Sequence, residues 1–495
     1  MSRPPHDLSR MSPAEKRALL VELLQQQARE AATPASAEQR RAHAIDQFMA
    51  PVTDLAGEAV LDPAIHLHGL PVEYPARPER ILLSGATGFL GAFLLDELLR
   101  RTEAAVYCLV RCADAEAGRR RIEQNLASYV PGREHPRSRI IPVVGDLSEP
   151  LLGLSPERFD DLATQIDAIY HNAAVVNWIY SYSRLKPANV AGTQEILRLA
   201  SRRRVKPVHV VSSLSVFPLV GNPGGTVIRE RDGLDHGGVL YGGYTQSKWV
   251  AEKLVTIARS RGLPVAVYRP GIITGHSRTG AWNTDDFLSR LIKSWVELGS
   301  APDLDGAIDM TPVDYVSSAL VHLSLSEQAF GSVFHLVNPR PIHLREMVEW
   351  IRSSGFPLEQ LPYDRWRIEL LSGAGSSKGP AANPLVPLFS ATPDGSSRGQ
   401  EQPGSEGGNT VDRIGSLMAA QYAARSVAFD DERTRHGLAG SSIVCPQVGV
   451  DVFARYLSYF VRTGFLSAPM HRDDRPPVGV RTDARSAGDV SWCPP

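Results

Sequence analysis

The chain has 495 residues, with 53 Lys and Arg against 54 Asp and Glu for a net charge of -1, and 43% hydrophobic residues. That length exceeds what one small core organises, so two lobes with extensions are expected. The even charge, with basic residues spread along the chain, argues against a nucleic-acid or anionic-membrane surface.

Taken in order, residues 1–10 carry no regular pattern, and MSRPPHDLSR lacks the apolar core of a signal peptide. Ser12-Pro13-Ala14-Glu15 then reads as a helix start, with Ser12 as N-cap and Pro13 in the first helical position. Leu19, Leu20, Leu23 and Leu24 follow at helical spacing, so an amphipathic helix is expected to about Arg29. It packs on its own domain, docks another chain or stands as a partner-free extension. Residues 32–56 read as mixed helix and linker, which sets off 1–56 as an N-terminal extension.

From Arg80 strands alternate with helices, as a doubly wound parallel sheet requires. Strands are expected at Ile81–Ser84, Val106–Val110, Ile140–Val144, Ala168–His171, Val208–Ser212, Val265–Arg269 and Val333–Leu336. Helices are expected to start near Gly88, Ala113, Pro156, Leu185, Tyr244 and Asp285. The fold class is therefore α/β, a Rossmann-type sheet over 57–270 with a smaller, mainly helical part over 271–470, from which 333–337 returns to the sheet. Residues 372–410, rich in Gly, Ser and Pro, read as a flexible loop broken by an apolar patch at Leu385–Phe389. Helices follow near Asp412–Ala424 and Val448–Thr463, and 471–495 reads as a disordered tail. No run approaches about 18 apolar residues, so no membrane span is expected. Cys108, Cys112, Cys445 and Cys493 are too scattered for a disulfide framework, and the Cys108–Cys112 pair has no second pair to complete a zinc site. Reduced thiols in the cytoplasm, and no metal, are the expectation.

The stretch RILLSGATGFLG, Arg80 to Gly91, joins a short apolar strand to a helix through Gly85, Gly88 and Gly91. A dinucleotide site needs that spacing. The first glycine makes the turn, the second lets a pyrophosphate approach the backbone, and the third lets helix pack on strand. The helix N-terminus then faces the phosphates. The second strand runs into Arg111, where an NAD site usually places an acid for the ribose 2′-hydroxyl; an arginine suits a 2′-phosphate, and Arg121 on the next helix adds a second charge. NADPH is the expected cofactor. Asp146 and Leu147 end the third strand, where a carboxylate reaches the adenine edge, and Asn172, Ala173 and Ala174 end the fourth. Thr87, Phe89 and Leu90 in the glycine turn, and Arg269, Pro270 and Gly271 at the end of the sixth strand, complete the cofactor candidates.

Tyr244 and Lys248 stand four apart in an expected helix, so they share a face. A nearby ammonium is expected to lower the phenol's pKa so that it exchanges a proton with a carbonyl oxygen, and the lysine also suits the nicotinamide ribose. Ser213, just past the fifth strand, offers a hydroxyl to the same oxygen. Tyr241 is a nearby decoy with no lysine four residues on.

In this order these residues resemble the extended short-chain dehydrogenase/reductase superfamily. More narrowly they resemble the thioester reductase domains of nonribosomal peptide synthetases, polyketide synthases and carboxylic acid reductases. The likeness is carried by ILLSGATGFLGAFLLDELL, IYHNAAVVNW, HVVSSLSVF, GGYTQSKWVAEKLV, YRPGIITGHSRTGAWNTDDF and IDMTPVDYVSSAL, and it extends over about 58–470. It implies NADPH-dependent reduction of a carrier-bound acyl thioester to an aldehyde, which some members reduce again to the alcohol. In the roles so implied, Tyr244 is the proton donor, Lys248 its partner and Ser213 the oxyanion donor. Many relatives carry threonine at the Ser213 position, so serine there loses the methyl that restricts χ1. No attachment motif for a phosphopantetheine arm is visible, so the carrier is expected to be a separate protein and the enzyme free-standing. A fatty acyl-CoA reductase, a nucleotide-sugar epimerase or dehydrogenase, and a non-catalytic NADP-binding protein are the alternatives. Trp282, Asp286, Met310 and Val313 either line the substrate side or belong to the ordinary core.

Overall fold

The computed structural model describes residues 54–72, 75, 77–218, 226–235, 240, 242–372 and 427–469. The helix expected from Ser12, most of the 32–56 linker, the loop beyond Ser372, the helix expected near Asp412–Ala424, Tyr241 and the tail lie outside the described residues.

Seven strands form one parallel sheet: β1 (Arg80–Ser84), β2 (Ala105–Val110), β3 (Ile140–Val144), β4 (Ala168–His171), β5 (Val208–Val211), β6 (Val265–Pro270) and β7 (Val333–Leu336). Their order is β7-β6-β5-β4-β1-β2-β3, every neighbouring pair parallel. All seven match the expected strands to within a residue at either end. The reason is visible in β1. Ile81 and Leu83 enter the core on one face and Leu82 the core on the other, all three fully buried. A strand covered on both sides has to be a continuous apolar run, and each such side chain contributes roughly 2 kcal/mol of burial.

Helices α1 (Phe89–Arg101), α2 (Ala115–Tyr129) and, later in the chain, α8 (Val313–Ser324) cover the face that takes Ile81. Helices α3 (Pro156–Gln165), α4 (Tyr182–Lys186), α5 (Gly192–Ala200) and α6 (Gly243–Ser260) cover the other. Local chemistry sets their starts. Asp114 caps α2 by accepting from the Ala117 N–H at 2.7 Å, and Ser155 caps α3, with Pro156 in its first position. Between α4 and α5 the helix widens into one π turn, Pro187–Ala191. The chain leaves β1 toward β2 on one side while β4 lies on the other. The carboxyl ends of β1 and β4 therefore flank a crevice, the switch point at which such sheets bind ligands.

Beyond β6 lies a third core of Trp282, Trp295, Trp366, Phe453, Tyr456 and Phe460, among others. It is built by α7 (Phe287–Leu298), α9 (Leu344–Ser353), α10 (Tyr363–Ser372) and α12 (Val450–Arg462), tied together by three short two-stranded pairs. Residue 270 is not a clean break, because α8 packs beside α1 and β7 pairs with β6. The chain then re-enters the sheet body a second time. Val427–Phe429 pairs in parallel with Thr226–Ile228, and α11 (Glu432–Gly437) follows. Buried Glu230 pins this return by accepting from the His335 N–H at 2.9 Å and from the Thr434 N–H and hydroxyl at 3.0 and 2.6 Å. Among the described residues no helix is long and apolar enough to cross a membrane.

Candidate active site

A cleft of about 1460 Å³ opens at the carboxyl ends of the strands. Its floor is the glycine turn. Gly85 has φ +78°, and a Cβ on it would meet the Ala173 backbone and the Asn172 side chain at 2.9 Å. Only glycine relieves both constraints. Gly88 is the N-cap of α1 and offers no side chain to the first helical N–H groups, which are left for a ligand at the positive end of the helix dipole. Gly91 does not face the cleft. A Cβ there would lie 1.9 Å from the Gly85 carbonyl oxygen, so its role is the close packing of helix on turn. Asn125 of α2 locks the loop by donating to the Ala86 and Gly88 carbonyls at 3.0 and 2.9 Å. Below it, the Ser84 hydroxyl accepts from the Asn172 and Ala173 N–H groups at 3.1 and 3.0 Å and meets His171 Nδ1 at 2.9 Å. Burial holds His171 down to about 3, so it stays neutral in this polar chain.

At the β2 and β3 ends, Arg111 stands 80% exposed, 3.8 Å from Asp146. Arg121 lies beside it and donates to the Arg111 carbonyl. Burial works against the charge on Asp146, yet the Ser148 N–H and hydroxyl and the Arg111 guanidinium together hold its carboxyl below the ordinary range. Two guanidiniums on one rim form a ready anion site. Thr87, Phe89, Leu90, Leu147, Asn172, Ala173, Ala174, Pro270 and Gly271 line the cleft. A dinucleotide fits this cradle: the turn has no Cβ where a pyrophosphate would lie, and cationic side chains stand at the far end.

Arg269, expected among the cofactor residues, is elsewhere. It is 2% exposed, paired with Glu252 through Nη2 at 2.5 Å, and stacked 4.7 Å from the Phe217 ring centroid. Side chains alternate along a strand, and its register in β6 points it behind the cleft. Trp282, Met310 and Val313 are likewise fully buried in cores rather than lining residues. Asp286 does line the cleft. Burial pushes its carboxyl up to about 7, although it caps α7 through the Ser289 N–H at 2.8 Å and accepts from the Trp282 indole.

Ser213, Tyr244 and Lys248 all face the same cleft. Helix α6 brings the last two there because its start can press against the segment before α4. Gly242 has φ +84°, and a Cβ on Gly243 would lie 2.4 Å from the Tyr180 carbonyl oxygen. Trp178 packs against the Tyr244 ring at 5.4 Å and against Phe287 at 5.9 Å, joining the two lobes at the phenol. Lys248 Nζ donates to the Val211 carbonyl at 2.8 Å. The Ser213 hydroxyl accepts from the Ser215 N–H at 3.2 Å, which leaves its own proton available. The expected acidic phenol is not what the geometry gives. Burial pushes Tyr244 up to about 12 and brings Lys248 down to about 8, the latter opposed by the Glu252 charge. Desolvation alone raises the phenol, so it keeps its proton, the form a donor to a carbonyl oxygen requires.

Sequence reasoning passed over Asn189. Set in the π turn, it accepts from the Val175 N–H at 2.7 Å, donates to the Val175 carbonyl at 3.1 Å and to the Ser247 hydroxyl at 3.0 Å. It thereby ties the cleft wall to α6. Its one signal in the sequence was Pro187, a proline inside a helical run. The 427–431 wall was also missed, since nothing local links it to the sheet.

A family model described as "Male sterility protein" matches residues 83–320. The chain is 43% identical over 414 residues to a linear gramicidin synthase protein of Brevibacillus parabrevis, covering 83% of this chain and 8% of that protein. It is 37% identical over 428 residues to the isonitrile lipopeptide synthase of Streptomyces coeruleorubidus, covering 86% of this chain and 27% of that one. The chain thus spans a small part of these relatives' length. Among solved structures, the terminal R domain from the myxalamid PKS-NRPS biosynthetic pathway superposes with a TM-score of 0.75 and 45% identity, covering 84% of this chain and 99% of that domain. The reductase (R) domain of a nonribosomal peptide synthetase from Mycobacterium tuberculosis gives 0.60 and 27%, covering 85% and 98%. With the glycine turn and the Ser213, Tyr244 and Lys248 grouping on one cleft, and a solved R domain matched over almost its whole length, the chain belongs to the terminal reductase (R) domain family of extended short-chain dehydrogenase/reductases and is an NAD(P)-binding oxidoreductase.

Proposed function

We propose that the chain is an NADPH-dependent thioester reductase that releases an acyl or peptidyl group from the phosphopantetheine arm of a carrier protein as an aldehyde. The observation that carries this reading is the convergence of Ser213, Tyr244 and Lys248 on the cleft that also holds the glycine turn. The balanced reaction is thioester plus NADPH plus a proton giving aldehyde, thiol and NADP⁺. NADPH, when bound, supplies the hydride to the carbonyl carbon. The backbone of Gly85 to Leu90 would hold its pyrophosphate, Arg111 and Arg121 the 2′-phosphate, Asp146 the adenine edge, and Lys248 the nicotinamide ribose. Tyr244 gives its proton to the carbonyl oxygen while Ser213 donates a hydrogen bond to the same atom. As the carbon–sulfur bond breaks, the new hydroxyl returns its proton to the Tyr244 phenolate and the leaving thiolate takes up the one proton consumed, giving aldehyde and thiol. Trp178, Phe287 and Phe429 give the cleft apolar walls that keep water from the reacting carbon.

The test is NADPH oxidation with a panel of acyl- and aminoacyl-pantetheine thioesters and with loaded carrier proteins, trapping the released product. Aldehyde formed in step with NADPH consumed is the expected result. If free aldehydes were reduced and no thioester were, the reading would be wrong. The coenzyme assignment has its own check. Arg111→Ala should raise the KM for NADPH about 10- to 100-fold, the worth of a lost charge-assisted bond to phosphate, and leave the KM for NADH nearly unchanged.

A further inference from the structure

Glu252 follows Lys248 by four residues and Tyr244 by eight, so α6 carries all three on one face. It is 2% exposed, behind the cleft rather than in it. The Ser212 hydroxyl donates to its Oε2. Arg269 donates to its Oε1 through Nε at 2.9 Å and Nη2 at 2.5 Å. Lys248 Nζ meanwhile holds the carbonyl of Val211, the residue just before Ser212. Two side chains of the catalytic helix therefore grip consecutive residues at the exit of β5, and the next residue is Ser213.

From this juxtaposition we infer that Glu252 is a positioning residue. It braces the Val211–Ser213 turn through Ser212 and sets a negative charge one helical turn from Lys248, with Arg269 as its own buried partner. This rests on the function proposed above and adds a residue that touches neither substrate nor coenzyme. The charged and titratable groups facing it are Lys248 from its own helix and Arg269 from β6, with His335 of β7 beyond Arg269 at 3.3 Å, kept neutral by burial. Arg269 pairs with the carboxylate directly, and Lys248 stands one helical turn from it. Without it, the lysine yields its proton and the guanidinium does not. The pair also explains why Arg269 is an arginine in a buried strand: its charge neutralises Glu252, not a coenzyme phosphate.

Competitive trace acetylation of the full chain across a pH series, read peptide by peptide by mass spectrometry, reports the titration midpoint of Lys248 without substrate or coenzyme. Glu252→Gln should lower that midpoint by about one pH unit, a tenfold loss in proton affinity. Because Glu252→Gln strands a buried guanidinium, Glu252→Gln combined with Arg269→Met is the second variant. It leaves no unpaired buried charge and should lower the midpoint less, because the Arg269 repulsion leaves together with the Glu252 attraction. An unmoved midpoint in folded Glu252→Gln overturns the counter-charge. Ser212→Ala keeps every charge and should cut kcat about tenfold at unchanged NADPH KM, as a misplaced Ser213 would; wild-type kcat overturns the brace. Wild-type protein that reduces no thioester would sink the proposed function and leave the Lys248 measurement readable.

Discussion

Tyr244→Phe is expected to lower turnover by about 10³-fold while NADPH affinity stays within about threefold. The phenol is the donor best placed for a carbonyl oxygen in the cleft, and its ring packs against Trp178. Phenylalanine keeps that packing and removes only the oxygen, so the loss falls on the proton transfer. Ser213 would still donate its hydrogen bond, which is why a residual rate is expected rather than none. The pH dependence follows from the same environment. With the phenol pushed up to about 12, the lysine at about 8 is the first of the two to lose its proton. The rate should therefore hold below about pH 8 and fall as the pH rises through the Lys248 midpoint. Stopped-flow NADPH oxidation, paired with fluorescence titration of the coenzyme, separates the two effects. Turnover retained in Tyr244→Phe would remove the phenol from the chemistry.

Gly91→Ala is the second large effect, and it acts without touching a ligand. The added methyl would sit 1.9 Å from the Gly85 carbonyl oxygen and 2.8 Å from its carbon, both backbone atoms that no rotamer change can move aside. Either α1 lifts off β1 or the glycine turn opens. Overpacking of this kind costs about 1–3 kcal/mol. The turn cannot keep the shape that admits a pyrophosphate, so coenzyme binding should weaken more than 100-fold. Gly88→Ala is the control from the same loop. Its Cβ would meet the Gly85 carbonyl oxygen at 3.3 Å, which a few tenths of an ångström of adjustment relieves. Thermal unfolding and coenzyme titration of the two variants side by side check the ranking; equal behaviour would refute a packing role for Gly91.

The sequence alone announces both effects. Gly85, Gly88, Gly91, Tyr244 and Lys248 are legible because their spacing is local: a turn between strand and helix, and a four-residue step on one helical face. The sheet was legible for a related reason, since its strands are short and mostly apolar, with Ile81-Leu82-Leu83 buried on both sides as an unbroken run. Arg269 shows where this stops. It ends a sheet strand beside Pro270 and Gly271, which do line the cleft, yet the alternation of side chains sends it to Glu252 instead.

The amino-acid order by itself determined the parallel sheet, its glycine turn, the Arg111 end of the coenzyme cleft and the Tyr244–Lys248 face, because each depends on neighbours within a few residues. Tertiary structure alone decided what surrounds them. Asn125 clamps the turn from 37 residues downstream of Gly88, and Glu230 holds Thr434 from 204 residues upstream. Desolvation leaves the phenol less acidic, not more, than a free tyrosine. Burial and long-range hydrogen bonds depend on which distant segments the packed cores bring together, and no local spacing encodes that.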